Sequence, residues 1–170
     1  MRSFIASPVE NESDFSKLLE SLSAFPEINP IPLNNLHLTF LFLADINDKQ
    51  KDEAIELLKE INYRKIRGRI LSVDIFPEKS RPHIVVLKID NKDITELNNM
   101  IQNYFSAYFS PNLRFLAHVT VGRFRKHAIP VDLESIKIDA TYIEFSRVCL
   151  YKSTLADSGS VYEKLYCRYL

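Results

Sequence analysis

The chain has 170 residues, a length that suits one domain able to bury about two-thirds of its unfolded surface. Lys plus Arg and Asp plus Glu number 22 each, so the formal net charge is zero and a general electrostatic pull on long polyanions is excluded. Hydrophobic residues at 46% and charged residues at 26% exclude disorder, and no apolar run nears the roughly 20 residues that a membrane-spanning helix needs.

In chain order, Phe4 to Ser7 is expected as an opening strand. A helix follows from about Ser13 to Ser23, where Phe15, Leu18, Leu19 and Leu22 recur at helical spacing and Ser13 can cap. Pro26, Pro30 and Pro32 hold the chain extended or turned as far as a strand at Leu36 to Leu43. Asp48 can cap a second helix, with Ala54, Leu57, Leu58 and Ile61 on one face, and a strand from about Ile66 to Ile75 comes next. Beyond a loop from Pro77 to Pro82, the β-branched run His83 to Ile89 predicts a strand. A third helix, about Asp93 to Phe109, presents Ile94, Leu97, Met100, Ile101, Tyr104 and Phe105 for packing. Arg114 to Arg125, Ser135 to Leu150 and Val161 to Tyr169 read as further strands, the last two separated by an Asp157-Ser158-Gly159 turn. The absence of strict βαβ alternation favours an α+β fold, and the order of elements hints at an internal pseudo-repeat within a single domain, residues 1–170.

Cys149 and Cys167 are the only cysteines; neither has metal-ligand spacing, and both are expected as buried, reduced thiols. The opening Phe4-Ile5-Ala6 is broken by Pro8, Glu10 and Glu12, unlike a signal peptide, so a cytoplasmic setting is expected.

Two tripeptides carry the chemistry: His37-Leu38-Thr39 and His118-Val119-Thr120, each within an apolar, β-prone run. Side chains alternate along a strand, so His37 and Thr39 share one face while Leu36, Leu38 and Phe40 share the other; His118 and Thr120 are likewise paired. One His-x-Thr is an ordinary strand sequence. Two in matched settings, the second followed by Arg123, point to a site with two proton-transfer groups and several donors for a phosphate. Two basic clusters add to this: Arg64-Lys65-Ile66-Arg67-Gly68-Arg69, expected as a solvated face, and Arg123-Phe124-Arg125-Lys126-His127, expected at the mouth of the site. His83 and His127 are expected to be rim or solvated residues.

These motifs, with the opening Met-Arg-Ser-Phe-Ile-Ala, the pairs Phe76-Pro77 and Arg81-Pro82, and the tail Ser153-Thr154-Leu155 with Gly159-Ser160-Val161-Tyr162-Glu163, resemble the 2H phosphoesterase superfamily. Within it the chain is most similar to the prokaryotic RNA 2',3'-cyclic phosphodiesterases, also called 2'-5' RNA ligases. The resemblance covers nearly the whole chain and implies two pseudo-symmetric lobes of antiparallel sheet, helices outside and a central cleft. Three positions depart from the usual pattern: Ala117 in place of a proline, Ala44 in place of a glycine, and Leu41 where a basic residue is common.

The implied reaction opens a 2',3'-cyclic phosphate on an RNA end to a 2'-phosphate, without cofactor or metal. Histidine titrates near neutrality, so one imidazole can accept a proton from water while the other protonates the leaving oxygen. By resemblance His37 is the acid toward the ribose 3'-oxygen and His118 the base; Thr39, Thr120 and Arg123 bind the phosphate. Run backward, the same groups could join such an end to a 5'-hydroxyl. The expected partners are RNA ends or oligonucleotides with a 2',3'-cyclic phosphate, acted on by a monomer with no membrane. The alternatives are a nucleotide-binding sensor of the same fold without turnover, or a phosphodiesterase for another small cyclic phosphate. A base could stack on a cleft aromatic, drawn from 11 Phe and 8 Tyr.

Overall fold

In the computed structural model the described residues are 1–78, 81–106, 115–125, 131–136, 138–156 and 159–170. They form two antiparallel sheets with three helices. The first sheet has the order β3-β1-β8-β9, from β3 (His37–Asp45), β1 (Arg2–Pro8), β8 (Arg147–Ala156) and β9 (Gly159–Tyr169). The second has the order β2-β6-β5-β4-β7, from β2 (Ile28–Pro30), β6 (His118–Phe124), β5 (Arg81–Asp90), β4 (Ile66–Glu78) and β7 (Tyr142–Phe145). Helices α1 (Ser16–Ser23), α2 (Asp48–Lys59) and α3 (Lys92–Phe105) pack on the faces that carry the aliphatic residues. Each sheet thus has a core face, with Ile5, Leu38, Phe40 and Leu150 in the first and Val85, Leu87, Val119 and Val121 in the second, and a cleft face. The expected α+β architecture is what forms.

The lobes are not contiguous halves of the chain. β2 belongs by sequence to the first half but pairs with β6, and β8 and β9 close the first sheet against β1. The three-residue β2, with a proline at its end, is too short and too polar to show a strand period, and it was not anticipated.

Several local expectations are corrected. Residues Glu12–Phe15 form a 3-10 turn before α1, and Ser13 gives no side-chain cap; its carbonyl accepts instead from Ser16 Oγ at 2.9 Å. The cap of α2 is Asn47, whose Oδ1 accepts from the Gln50 amide at 2.9 Å while Gln50 Oε1 accepts from the Asn47 amide at 3.0 Å, a complete capping box that leaves Asp48 inside the first turn. Pro77 and Pro82 do not bound a loop: β4 and β5 pair as far as Glu78 and Arg81. Within the run Ser135 to Leu150 the described strand residues begin only at Tyr142; β7 and β8 then serve different sheets, and the chain crosses over at Ser146, whose hydroxyl donates to Glu10 at 2.7 Å. On α3, Tyr104 is exposed, unlike its predicted packed neighbours. The expected continuation of α3 to Phe109, the strand start at Arg114, the Asp157-Ser158 part of the last turn, and Lys126 and His127 lie outside the described residues.

Cys149 and Cys167 are joined by a disulfide, not left as free thiols. They occupy directly opposed positions in the β8·β9 ladder, a proximity that a sequence separation of 18 does not reveal.

Ala44, one of the three departures from the pattern the chain resembles, is an exposed residue at φ 57°. A Cβ in the left-handed region costs about 1–2 kcal/mol, partly offset by the greater unfolded-state entropy of glycine. Ala44→Gly is therefore expected to stabilise the fold by about 0.5–1 kcal/mol, seen as a raised urea midpoint, while Ala44→Val lowers it. Equal midpoints for all three would contradict strain at this position.

Candidate active site

β3 and β6 approach each other where the two sheets meet, and their cleft faces carry His37 with Thr39 and His118 with Thr120, all half-buried. The pairing registers set these faces. Thr39 lies opposite Ala6, on the face of Phe4 and not that of Ile5; Thr120 lies opposite Val86, on the face away from Val85 and Leu87.

The two histidines are held alike. His37 Nδ1 lies 2.7 Å from the Asn35 carbonyl and His118 Nδ1 lies 2.7 Å from the Leu116 carbonyl, in each case two residues upstream. A carbonyl oxygen only accepts, so each Nδ1 carries its hydrogen and each Nε2 is left to exchange a proton in the cleft. This is the arrangement that acid-base work requires of both rings.

Their surroundings differ. The His37 ring sits in an aromatic box, 5.2 Å from Phe4, 5.2 Å edge-on from Tyr162 and 6.1 Å from Tyr151. Burial among these rings pushes its pKa below the ordinary imidazole value, against the pull of the Asn35 carbonyl, and the positive charges of Arg123 and His118 push the same way. His118 stacks against Phe76 at 6.2 Å, and its partner across the ladder is Lys88, itself ion-paired with Asp74.

Strict alternation would put Arg123 on the core face, since it lies an odd number of positions beyond His118. A β-bulge reverses that. Between Thr120 and Gly122 the chain of β6 advances two residues while β5 advances one, from Val86 to Val85, so Arg123 comes opposite Ile84 and faces the cleft. Gly122 follows the bulge, and a Cβ there would stand 2.8 Å from Ile28 Cγ2 of β2. The same irregularity occurs in β3: between Thr39 and Leu41, β1 advances only from Ala6 to Ile5, and Phe42 turns to the cleft opposite Phe4. Both bulge residues have their carbonyls taken from outside the ladder, Phe40 by the Gln102 amide at 2.9 Å and Val121 by the Ile31 amide at 2.9 Å.

Arg123 and Phe42 are therefore equivalent positions, each five residues past a histidine, one a cation and the other an aromatic ring that is 62% exposed. The sequence reading singled out Arg123 but missed Phe42. The signal that finds it is the superposition of His37-Leu-Thr-Phe-Leu-Phe42 on His118-Val-Thr-Val-Gly-Arg123. Tyr162, which the sequence places in the tail motif without a role, reaches from β9 to the Arg123 guanidinium, accepting from Nη2 at 3.5 Å. Leu41 is buried beside the bulge and does not face the cleft.

The basic clusters divide. Arg64, Arg67 and Arg69 pair with Asp93, Glu144 and Asp90 on exposed surface, the solvated face expected. In the second cluster Arg125 turns away from the site and donates to the Pro26 carbonyl at 2.7 Å. His83 is exposed. Among the described residues no three His, Cys, Asp or Glu side chains gather as a metal-holding group, and no helix is long and apolar enough to cross a membrane.

Comparison with known proteins agrees with this fold. Residues 7–86 match the model of the LigT like Phosphoesterase family. The chain is 27% identical to the RNA 2',3'-cyclic phosphodiesterase of Thermotoga maritima over 98% of this chain and 94% of that protein, and 26% identical to the one of Archaeoglobus fulgidus over 97% and 98%. The chain is similar to the LigT-like phosphoesterases. Among solved structures, a Thermus thermophilus protein superposes on this LigT-like fold with a TM-score of 0.86 at 21% identity, covering 100% of this chain and 98% of that one. LigT of Escherichia coli, crystallised with 3'-AMP, gives a TM-score of 0.81 at 20% identity, covering 99% and 97%. The strand pair β3 and β6 holds one motif in each sheet.

Proposed function

We propose that this phosphoesterase opens 2',3'-cyclic phosphates on RNA ends to 2'-phosphates by acid-base catalysis between His37 and His118. The observation that carries the reading is the matched pair of Nδ1 contacts, which leave two Nε2 atoms to serve one cleft. Thr39, Thr120 and Arg123 donate to the phosphate oxygens, where charge accumulates in the transition state. Phe42 offers a flat face for the terminal base, which accounts for a large exposed ring beside a polar site. The curated relatives' names support the substrate, and the zero net charge suits recognition of an end over a long duplex.

In this assignment water loses its proton to His118 Nε2 as it attacks phosphorus, and His37 Nε2 gives a proton to the departing ribose 3'-oxygen. Joining to a 5'-hydroxyl is the same exchange with that hydroxyl in the place of water. The test is incubation with EDTA and a short RNA that ends in a 2',3'-cyclic phosphate, followed by identification of the phosphate position. A 2'-phosphate supports the reading; tight nucleotide binding without turnover sinks it in favour of a sensor.

The pH dependence provides a sharper check. An acid and a base acting together give a bell-shaped profile. Burial and the Arg123 charge lower the pKa of His37 in the free enzyme, so its acid form is lost earlier as pH rises. A phosphate in the cleft offsets that positive charge and raises it again. The alkaline limb of kcat/KM, which reports free enzyme, is therefore expected at lower pH than the limb of kcat; superimposed limbs would count against His37 as the acid.

A further inference from the structure

Tyr162 is the one described side chain seen to touch the machinery of both sheets. It stands on β9, two strands beyond β1 in the first sheet, and lies opposite Ser153 in the ladder. Its ring meets His37 edge-on at 5.2 Å, with an interplanar angle of 83°, and meets Phe4 edge-on at 5.2 Å and 77°. Its hydroxyl accepts from Arg123 Nη2 at 3.5 Å, across the cleft from the second sheet. Arg123 is otherwise an exposed side chain on a strand, and an exposed arginine samples many rotamers. Edge-on contact fixes the His37 plane, and with Nδ1 held by Asn35 only the Nε2 direction remains for substrate.

We infer that Tyr162 is a positioning residue with two separable duties: its hydroxyl parks the Arg123 guanidinium over the phosphate site, and its ring sets the plane of His37. The inference rests on the proposed roles of Arg123 and His37. The first duty acts on phosphate binding and the second on proton transfer, so the two can be read apart. A ring lost from the box also admits water to His37, whose lowered pKa is due first to burial.

The experiment compares Tyr162→Phe, Tyr162→Leu and a control, Tyr104→Phe on the exposed face of α3, in the full chain. Binding of inorganic phosphate and of adenosine 2'-monophosphate is followed by calorimetry, and cyclic-phosphate hydrolysis by steady-state rates across pH. Tyr162→Phe removes only the hydroxyl and is expected to weaken both ligands about 3- to 10-fold, with KM rising in step and kcat changing far less. Tyr162→Leu is expected to lower kcat about tenfold as well, through lost ring alignment, and to move the alkaline limb of kcat/KM to higher pH. The proposal is overturned if Tyr162→Phe binds phosphate as the wild type does, or if both variants lose kcat equally with an unmoved pH limb. Phosphate affinity is measurable even if the wild type shows no turnover, so failure of the proposed reaction and failure of this role give different results.

Discussion

Replacing either histidine by alanine is expected to lower the single-turnover rate on a 2',3'-cyclic phosphate RNA end by about 10²- to 10⁴-fold, the usual worth of one positioned proton transfer. The two variants differ in stability. His118 is half-buried, and water can replace its hydrogen bond to the Leu116 carbonyl, so His118→Ala keeps close to the wild-type urea midpoint. His37 fills the box of Phe4, Tyr151 and Tyr162, and His37→Ala empties it, costing about 1–2 kcal/mol. Groups that act as a unit are non-additive, so the double variant falls little below either single one. A rate within a few-fold of wild type for either alanine variant would remove that histidine from the mechanism.

Arg123→Ala comes second in size, at about 10²- to 10³-fold in kcat/KM, the range found when a preorganised donor to developing charge is removed. Its side chain is exposed, so the stability of the fold should hardly change. Arg123→Lys restores the charge without the planar fork and should recover only part of the loss. There is also a signature that simple loss of affinity lacks. Because the Arg123 charge contributes to the lowered pKa of His37, its removal raises that pKa, and the alkaline limb of kcat/KM moves to higher pH in the alanine variant but not in the lysine variant. An alkaline limb that stays put in both would separate Arg123 from His37.

Much of this was legible in the sequence because it rests on local periodicity. The strand faces of His37 with Thr39 and of His118 with Thr120 follow from alternation, and the packed faces of α2 and α3 from helical spacing around Ala54, Leu58, Ile94 and Ile101. What escaped depends on pairing between distant segments. The cleft-facing turn of Phe42 is invisible to a period of two, since a bulge is defined by the partner strand, β1 in this case. The union of Cys149 with Cys167, the entry of β2 into the second sheet and the reach of Tyr162 to Arg123 are likewise products of the ladder. The strand break at Ser146 reflects a change of sheet within an uninterrupted β-prone run. Even the cleft-facing position of Arg123 depends on a bulge that alternation alone would have denied.

The paired bulges bear on the direction of the reaction. Both imidazoles are anchored through the same nitrogen to the same kind of carbonyl, so the anchoring alone makes neither ring the donor or the acceptor. The site loses its two-fold likeness one step further along, where one strand turns out a guanidinium and the other a phenyl ring. Under the proposed chemistry the regiochemistry of the product, 2'-phosphate over 3'-phosphate, is thus written by which half grips the anion and which half receives the base. Which ribose oxygen keeps the phosphate then becomes a property of two side chains that transfer no proton.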